Sequence, residues 1–206
     1  MKDIFVALAG NYAANPGLTN DLWKEIEKNY SKSNRHYHTL EHLENLLSEL
    51  NRVRDRINDW NTVLFTLFYH DVIYNPLKSN NEEKSAGLAE KRMRALRVPA
   101  AVIDKCKEQI LATKQHLPCS DNDTNYFTDA DLSILGQSWG LYEKYAANVR
   151  KEYSIYPDLI YHPGRKKVLQ HFLDMDRIFK TAYFFDKYEM AAKHNLQKEI
   201  QYLSGN

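Results

Sequence analysis

Residues that interrupt regular structure are scarce in this chain, with 7 glycines and 6 prolines among 206 residues. That scarcity excludes collagen-like and loop-dominated architectures. Cysteine is rarer still: Cys106 and Cys119 are too few for a disulfide scaffold and form no CxxC pair, so both are expected as reduced thiols. Charge of one sign is also missing. Lys plus Arg number 28 against 27 Asp plus Glu, a net charge of +1, which gives no long-range field to gather nucleic acid or anionic lipid. A charged ligand would have to be held by local contacts. Nowhere do 18 apolar residues run together, and the N-terminal MKDIFVALAGNYAANPG carries only a short apolar patch with an acid at position 3. The expectation is a soluble, cytoplasmic protein without a membrane span.

The chain does have long segments with apolar residues three and four apart, the spacing of an amphipathic helix. The fold class predicted is all-α, with seven to nine helices in a single domain covering residues 1–206, a usual size for one core. Aromatic content is 12%, with 14 tyrosines; rings of this number are expected to fill the core and line a cleft, and buried hydroxyls will need partners. No low-complexity linker or internal repeat divides the chain.

The helices are read from Pro, Gly and Asn clusters. A first helix is predicted over about residues 1–14, stopped by NPG at 15–17, and a second from a Thr19 or Asn20 cap to about Ser31. Leu40, Leu43, Leu46, Leu47 and Leu50 place one buried face on a helix over 39–54. WNTVLFTLFYHDVIY, residues 60–74, is apolar nearly all round and predicts a central buried helix, with a short strand as the weaker alternative. NPLKSNN is a loop, with Asn80 or Asn81 capping a helix that ends before Val98-Pro99. Residues 100–115 form another helix, HLPCSDNDTN a polar connection, and a further helix runs from about Ala130 to Tyr153. HPGR at 162–165 precedes two more helical stretches, the last over 179–195.

The pair His70-Asp71 sits near the end of the most apolar helix, where an uncompensated carboxylate is costly. One reading gives Asp71 a neighbouring cation or N–H and makes His70 an ordinary core histidine. The other makes both ligands of one metal ion with a nitrogen and oxygen donor set. His38 and His42, four apart, share a helix face if both are helical. Asp129 and Asp131 stand in FTDADLSILG; Asp129 also reads as an N-cap, whereas Asp131 is free to face a cleft. One His, then His-Asp, then Asp, on three helices, can supply four of the six donors of an octahedron, with two positions left for water and substrate.

That order, His42, His70-Asp71 and Asp131, resembles the H…HD…D signature of the HD superfamily of metal-dependent phosphohydrolases. YHTLEH at 37–42, FYHDVIY at 68–74, NEEKSA at 81–86, DADLSILG at 129–136 and GRKKVL at 164–169 are similar to the successive motifs of an uncharacterised bacterial branch of that superfamily, over roughly residues 30–185. The resemblance implies an HD-type helical bundle, a divalent ion and hydrolysis of a phosphate ester. The ion's identity among Mn, Mg, Zn, Ni, Co and Fe stays open. The metal ligands it implies are His42, His70, Asp71 and Asp131, the last selected over Asp129 by its AD-x-L context. Asp71 is also the group expected to orient water. Glu82 or Glu83, otherwise a solvated first turn, is raised to the same task, and His116 reads either as a phosphate ligand or general acid lining the pocket or as a solvated histidine at a helix end. Arg35, His38, Lys84 and Arg165 are the groups to inspect for substrate binding. Only His116 lies between the HD pair and the last Asp, so one ion rather than two is expected. The expected partner is a small phosphorylated molecule, with nucleotides suggested by analogy; no nucleic acid or membrane partner is expected, and a homodimer is compatible with the pattern. Two rivals remain: an iron-dependent oxygenase on the same fold, which two irons per chain would reveal, and a binding module that holds a nucleotide or phosphometabolite without turnover.

Overall fold

Asn and Asp side chains set several of the helix starts. In the computed structural model, which describes residues 1–12 and 15–205, Asn15 caps the second helix by accepting from Leu18 N at 3.2 Å, with Pro16 in the first helical position. NPG therefore opens this helix, where a stop before a Thr19 or Asn20 cap was expected. Proline suits that place because its absent N–H has no intrahelical acceptor there anyway. Ala13 and Ala14, the end of the first predicted helix, lie outside the described residues.

Among the described residues there are ten α-helices, two 3₁₀ turns and no strand. The all-α class is as expected, with one helix more than the seven to nine predicted. The residues fall into two compact units, Met1–Thr128 and Asp129–Asn206. The first holds α1 (Lys2–Gly10), α2 (Pro16–Tyr30), α3 (Leu40–Asn51), a 3₁₀ turn (Arg54–Arg56), α4 (Trp60–Tyr69), α5 (Asn81–Ala95), α6 (Ala100–Ala112) and the start of α7 (Asn122–Leu132). The second holds a 3₁₀ turn (Ser133–Gly136), α8 (Trp139–Glu152), α9 (Asp158–Leu173) and α10 (Ala182–Leu203). The division falls inside α7, which is itself unbroken. No helix among the described residues is long and apolar enough to cross a membrane.

In the first unit α4 is central and packs against α1, α3, α5 and α6. Every residue from Thr62 to Tyr69 is buried, as its nearly continuous apolarity requires. Phe68 meets Phe5 edge-on at 5.1 Å and Trp23 at 6.3 Å, and each such ring contributes about 1.5–3 kcal/mol by leaving water. Thr66 needs a partner in this setting and donates to Gln109 Oε1 at 2.6 Å. Asp59 caps α4 by accepting from Thr62 N at 3.0 Å. Buried Asp123, in the first turn of α7, accepts from the main-chain N–H of Asn58 at 2.9 Å and Asp59 at 2.8 Å, so α7 is pinned to the start of α4. This explains why the polar run DNDTN is helical from Asn122, although it reads as a connection: buried Asp123 and Phe127 outweigh its poor intrinsic propensity.

In the second unit the single helix expected from Ala130 to Tyr153 is broken at Gly136. A Cβ there would lie 2.5 Å from Tyr188 Cβ and 2.7 Å from Tyr188 O, so the 3₁₀ turn seats directly on the α10 backbone. HPGR lies inside α9 rather than before it. Pro163 removes one bond from the second turn, and burial of Tyr161, Arg165 and Leu169 at four-residue intervals carries the helix through. Asp129, in the last turn of α7 and not an N-cap of its own helix, accepts from Lys180 N at 2.9 Å and Thr181 N and Oγ1 at 2.7 Å each, which satisfies donors just ahead of α10.

Candidate metal centre

The last four carbonyls of a helix have no intrahelical donor. At the end of α4 one of them, Leu67 O, lies 3.0 Å from Nδ1 of His70. A carbonyl can only accept, so it places the imidazole proton on Nδ1 and leaves Nε2 with a lone pair. His70 is 1% exposed, and that lone pair needs a partner. Nε2 of His42, in the first turn of α3, lies 3.1 Å away. Oδ2 of Asp71 is 3.2 Å from His70 Nε2, 3.9 Å from His42 Nε2 and 3.8 Å from His38 Nε2. Three imidazole nitrogens therefore converge on one carboxylate oxygen, all within the first unit.

This donor set fits a divalent ion. Two ligands each about 2.1 Å from a metal in adjacent octahedral positions are about 3.0 Å apart, close to the 3.1 Å between His42 and His70 and the 3.2 Å between His70 and Asp71, with His42 and Asp71 wider at 3.9 Å. The Leu67 carbonyl orients the His70 imidazole, as the partners of metal-bound histidines generally do. Helix α7, running unbroken from among the first unit's residues, carries Asp131 on its last turn. Asp131, expected from the sequence as the fourth ligand, belongs to the second unit.

The remaining candidates lie in other settings. Arg35 is 4% exposed, and its guanidinium donates to the main-chain carbonyls of His38, Asp71 and Val72. Arg165 is in the second unit, bound to Glu199 through Nε at 2.8 Å and Nη2 at 3.0 Å. Burial opposes its charge, but the neighbouring Tyr145 and Glu199 prevail and hold its pKa well above the usual value. A charged buried carboxylate needs such a partner. Glu83 is exposed on the first turn of α5 and ion-pairs with Lys114, whose hydrogen bond holds its carboxyl below the usual range. Glu82 is half-buried beside it and Lys84 is exposed. His116 is half-buried beyond α6 with φ +54°, its N–H donating to Ala112 O at 2.9 Å; its backbone ends the helix in the left-handed conformation usually taken by glycine.

Several residues around the centre were not singled out from the sequence. Tyr74 stacks on the His38 ring at 4.1 Å and 30°, and Tyr37 lies 5.0 Å from the His42 ring. Ser85 accepts from Ile73 N at 3.1 Å and donates to Ile73 O at 3.2 Å, clamping α5 to the turn after His70-Asp71. The signal was available in part, since Tyr37, Tyr74 and Ser85 all fall within quoted motifs. Comparison with family models, curated proteins and solved structures finds no match to this chain.

Proposed function

We propose that the chain is a metal-dependent phosphohydrolase of the HD superfamily type, cleaving a phosphate ester of a small molecule. The observation that supports this reading is the convergence of His42 Nε2, His70 Nε2 and Asp71 Oδ2 within 3.1–3.9 Å of one another. His42, His70, Asp71 and Asp131 would hold the ion. Mixed nitrogen and oxygen donors favour Mn, Fe, Co, Ni or Zn over Mg, which prefers oxygen alone. When bound, such an ion lowers the pKa of water toward about 7 and polarises a phosphoryl oxygen.

The chain's own groups have separate tasks. His70, its proton committed to Leu67 O, offers only a lone pair and does not move a proton. Asp71, 18% exposed at its side chain, presents a carboxylate that can accept a hydrogen bond from the attacking water and so orient it. His38, 19% exposed and stacked on Tyr74, can donate to an ester oxygen as charge develops there. The buried faces of His42 and His70 exclude bulk water from one side.

The test is a metal-supplemented screen of phosphomonoesters, phosphodiesters and nucleotides, run beside elemental analysis. Metal-dependent release of phosphate or of a phosphorylated product, lost in His70→Ala and Asp71→Ala, is expected. Two irons per chain with oxygen-dependent turnover would favour the oxygenase instead, and tight nucleotide binding without hydrolysis across the metal series would favour a binding module.

A further inference from the structure

Arg35 stands seven residues before His42, in the segment that leads into α3, and its guanidinium reaches across 36 positions of sequence. Nη1 donates both to His38 O at 3.1 Å and to Asp71 O at 2.8 Å. Nη2 donates to Val72 O at 2.9 Å. The segment entering α3 and the turn leaving α4 are thereby joined by one planar group. Tyr30 and Tyr74 lie beside it, with ring centroids 4.8 Å and 5.6 Å from Cζ. Both rings also serve the centre. Tyr30 Oη accepts from Asp71 N at 3.3 Å, so both main-chain polar groups of Asp71 are held, and Tyr74 stacks on the His38 ring.

We propose that Arg35 is a positioning residue of the metal centre, holding the His38 and Asp71 side chains in register through their main-chain carbonyls. The inference rests on the metal-centre reading. It follows from geometry: a guanidinium has its donors fixed in one plane, so carbonyls bound to it cannot drift independently. Metal ligands tolerate displacements of only about 0.2 Å, and the two segments meet with no covalent link shorter than the whole of α3 and α4. A lysine at position 35 would keep the charge but, as a point donor on a flexible stem, could not hold three carbonyls in one plane.

The experiment titrates cobalt(II) into the purified full chain and into Arg35→Met, Arg35→Lys and Tyr30→Phe. It follows affinity by calorimetry and ligand geometry by the visible d–d bands, with circular dichroism of the metal-free proteins alongside. A positioning role predicts about 10–100-fold weaker cobalt binding in Arg35→Met, a changed d–d spectrum, no rescue by lysine, and a smaller loss in Tyr30→Phe. If Arg35→Met does not fold, Arg35→Lys decides. Unchanged affinity and an unchanged spectrum in a folded Arg35 variant overturn the proposal. So does a loss of binding that merely follows the unfolded fraction while the folded molecules keep the wild-type spectrum. Failure of the wild-type chain to bind cobalt, zinc or manganese would instead defeat the metal-centre reading and take this inference with it.

Discussion

Replacing Gly136 by alanine would place a methyl carbon 2.5 Å from Tyr188 Cβ, 2.7 Å from Tyr188 O and 2.9 Å from Tyr188 Cα. Two of these three atoms are backbone of α10 and cannot rotate away, so the 3₁₀ turn must lift or the helix must shift. Overpacking of this kind costs about 1–3 kcal/mol, and the backbone contacts put the cost at the upper end. For a chain of this length each kcal/mol moves the melting temperature by about 2–4 °C, so Gly136→Ala should melt about 5–12 °C lower. Gly87 in α5 and Gly164 in α9 provide the control, because an added Cβ meets nothing within 4 Å at either. There alanine gains about 0.5–1 kcal/mol of helix propensity, and the melting temperature should rise by a degree or more. Thermal melting followed by circular dichroism reads all three. A Gly136→Ala protein as stable as wild type would refute the close seating of the turn on α10.

Other expectations follow from buried groups. Burial pushes the Cys106 thiol up to about 12, so a disulfide reagent at pH 8 should modify one thiol per native chain, the exposed Cys119, and two in denaturant. Arg165→Met alone leaves Glu199 buried and uncompensated and should cost about 3–5 kcal/mol, whereas Arg165→Met combined with Glu199→Leu should recover most of it; denaturant titration separates the two. Burial, the leading cause in each case, raises the Tyr69 and Tyr142 hydroxyls well above their usual value and Tyr161 to about 12. A raised folded pKa means that the unfolded chain loses these protons first. The corresponding stability is therefore intact below pH 10 and declines as pH rises from 10 toward 12. Absorbance titration should show tyrosines that resist ionisation until unfolding; 14 tyrosines ionising together near pH 10 would contradict it.

The nearness of His42 to His70 and Asp71 was expected from the sequence because each lies at an end of a strongly periodic segment, and a helix end is where a side chain can leave the core and meet another helix. Asp131 came from the context of its motif. The arginines were not legible. Composition shows a guanidinium but not its partner, and for Arg35 that partner is a set of carbonyls up to 37 residues away, for Arg165 a carboxylate 34 away. Helix boundaries failed where tertiary packing overrode local preference. Buried Asp123 makes a helix of DNDTN, and the contact of Gly136 with Tyr188 breaks one that periodicity would have continued. The start of α2 at Asn15-Pro16 was misread for another reason: proline and glycine mark a boundary without saying on which side the helix lies.

The central claim is that His42, His70, Asp71 and Asp131 hold one divalent ion. It is tested most directly by elemental analysis of the purified chain beside His70→Ala and Asp71→Ala after equal exposure to manganese, zinc, cobalt, nickel and iron. The account predicts about one ion per wild-type chain and at least a tenfold lower content in both variants, with unchanged circular dichroism. Equal metal in all three proteins, or none in the wild type, would contradict it.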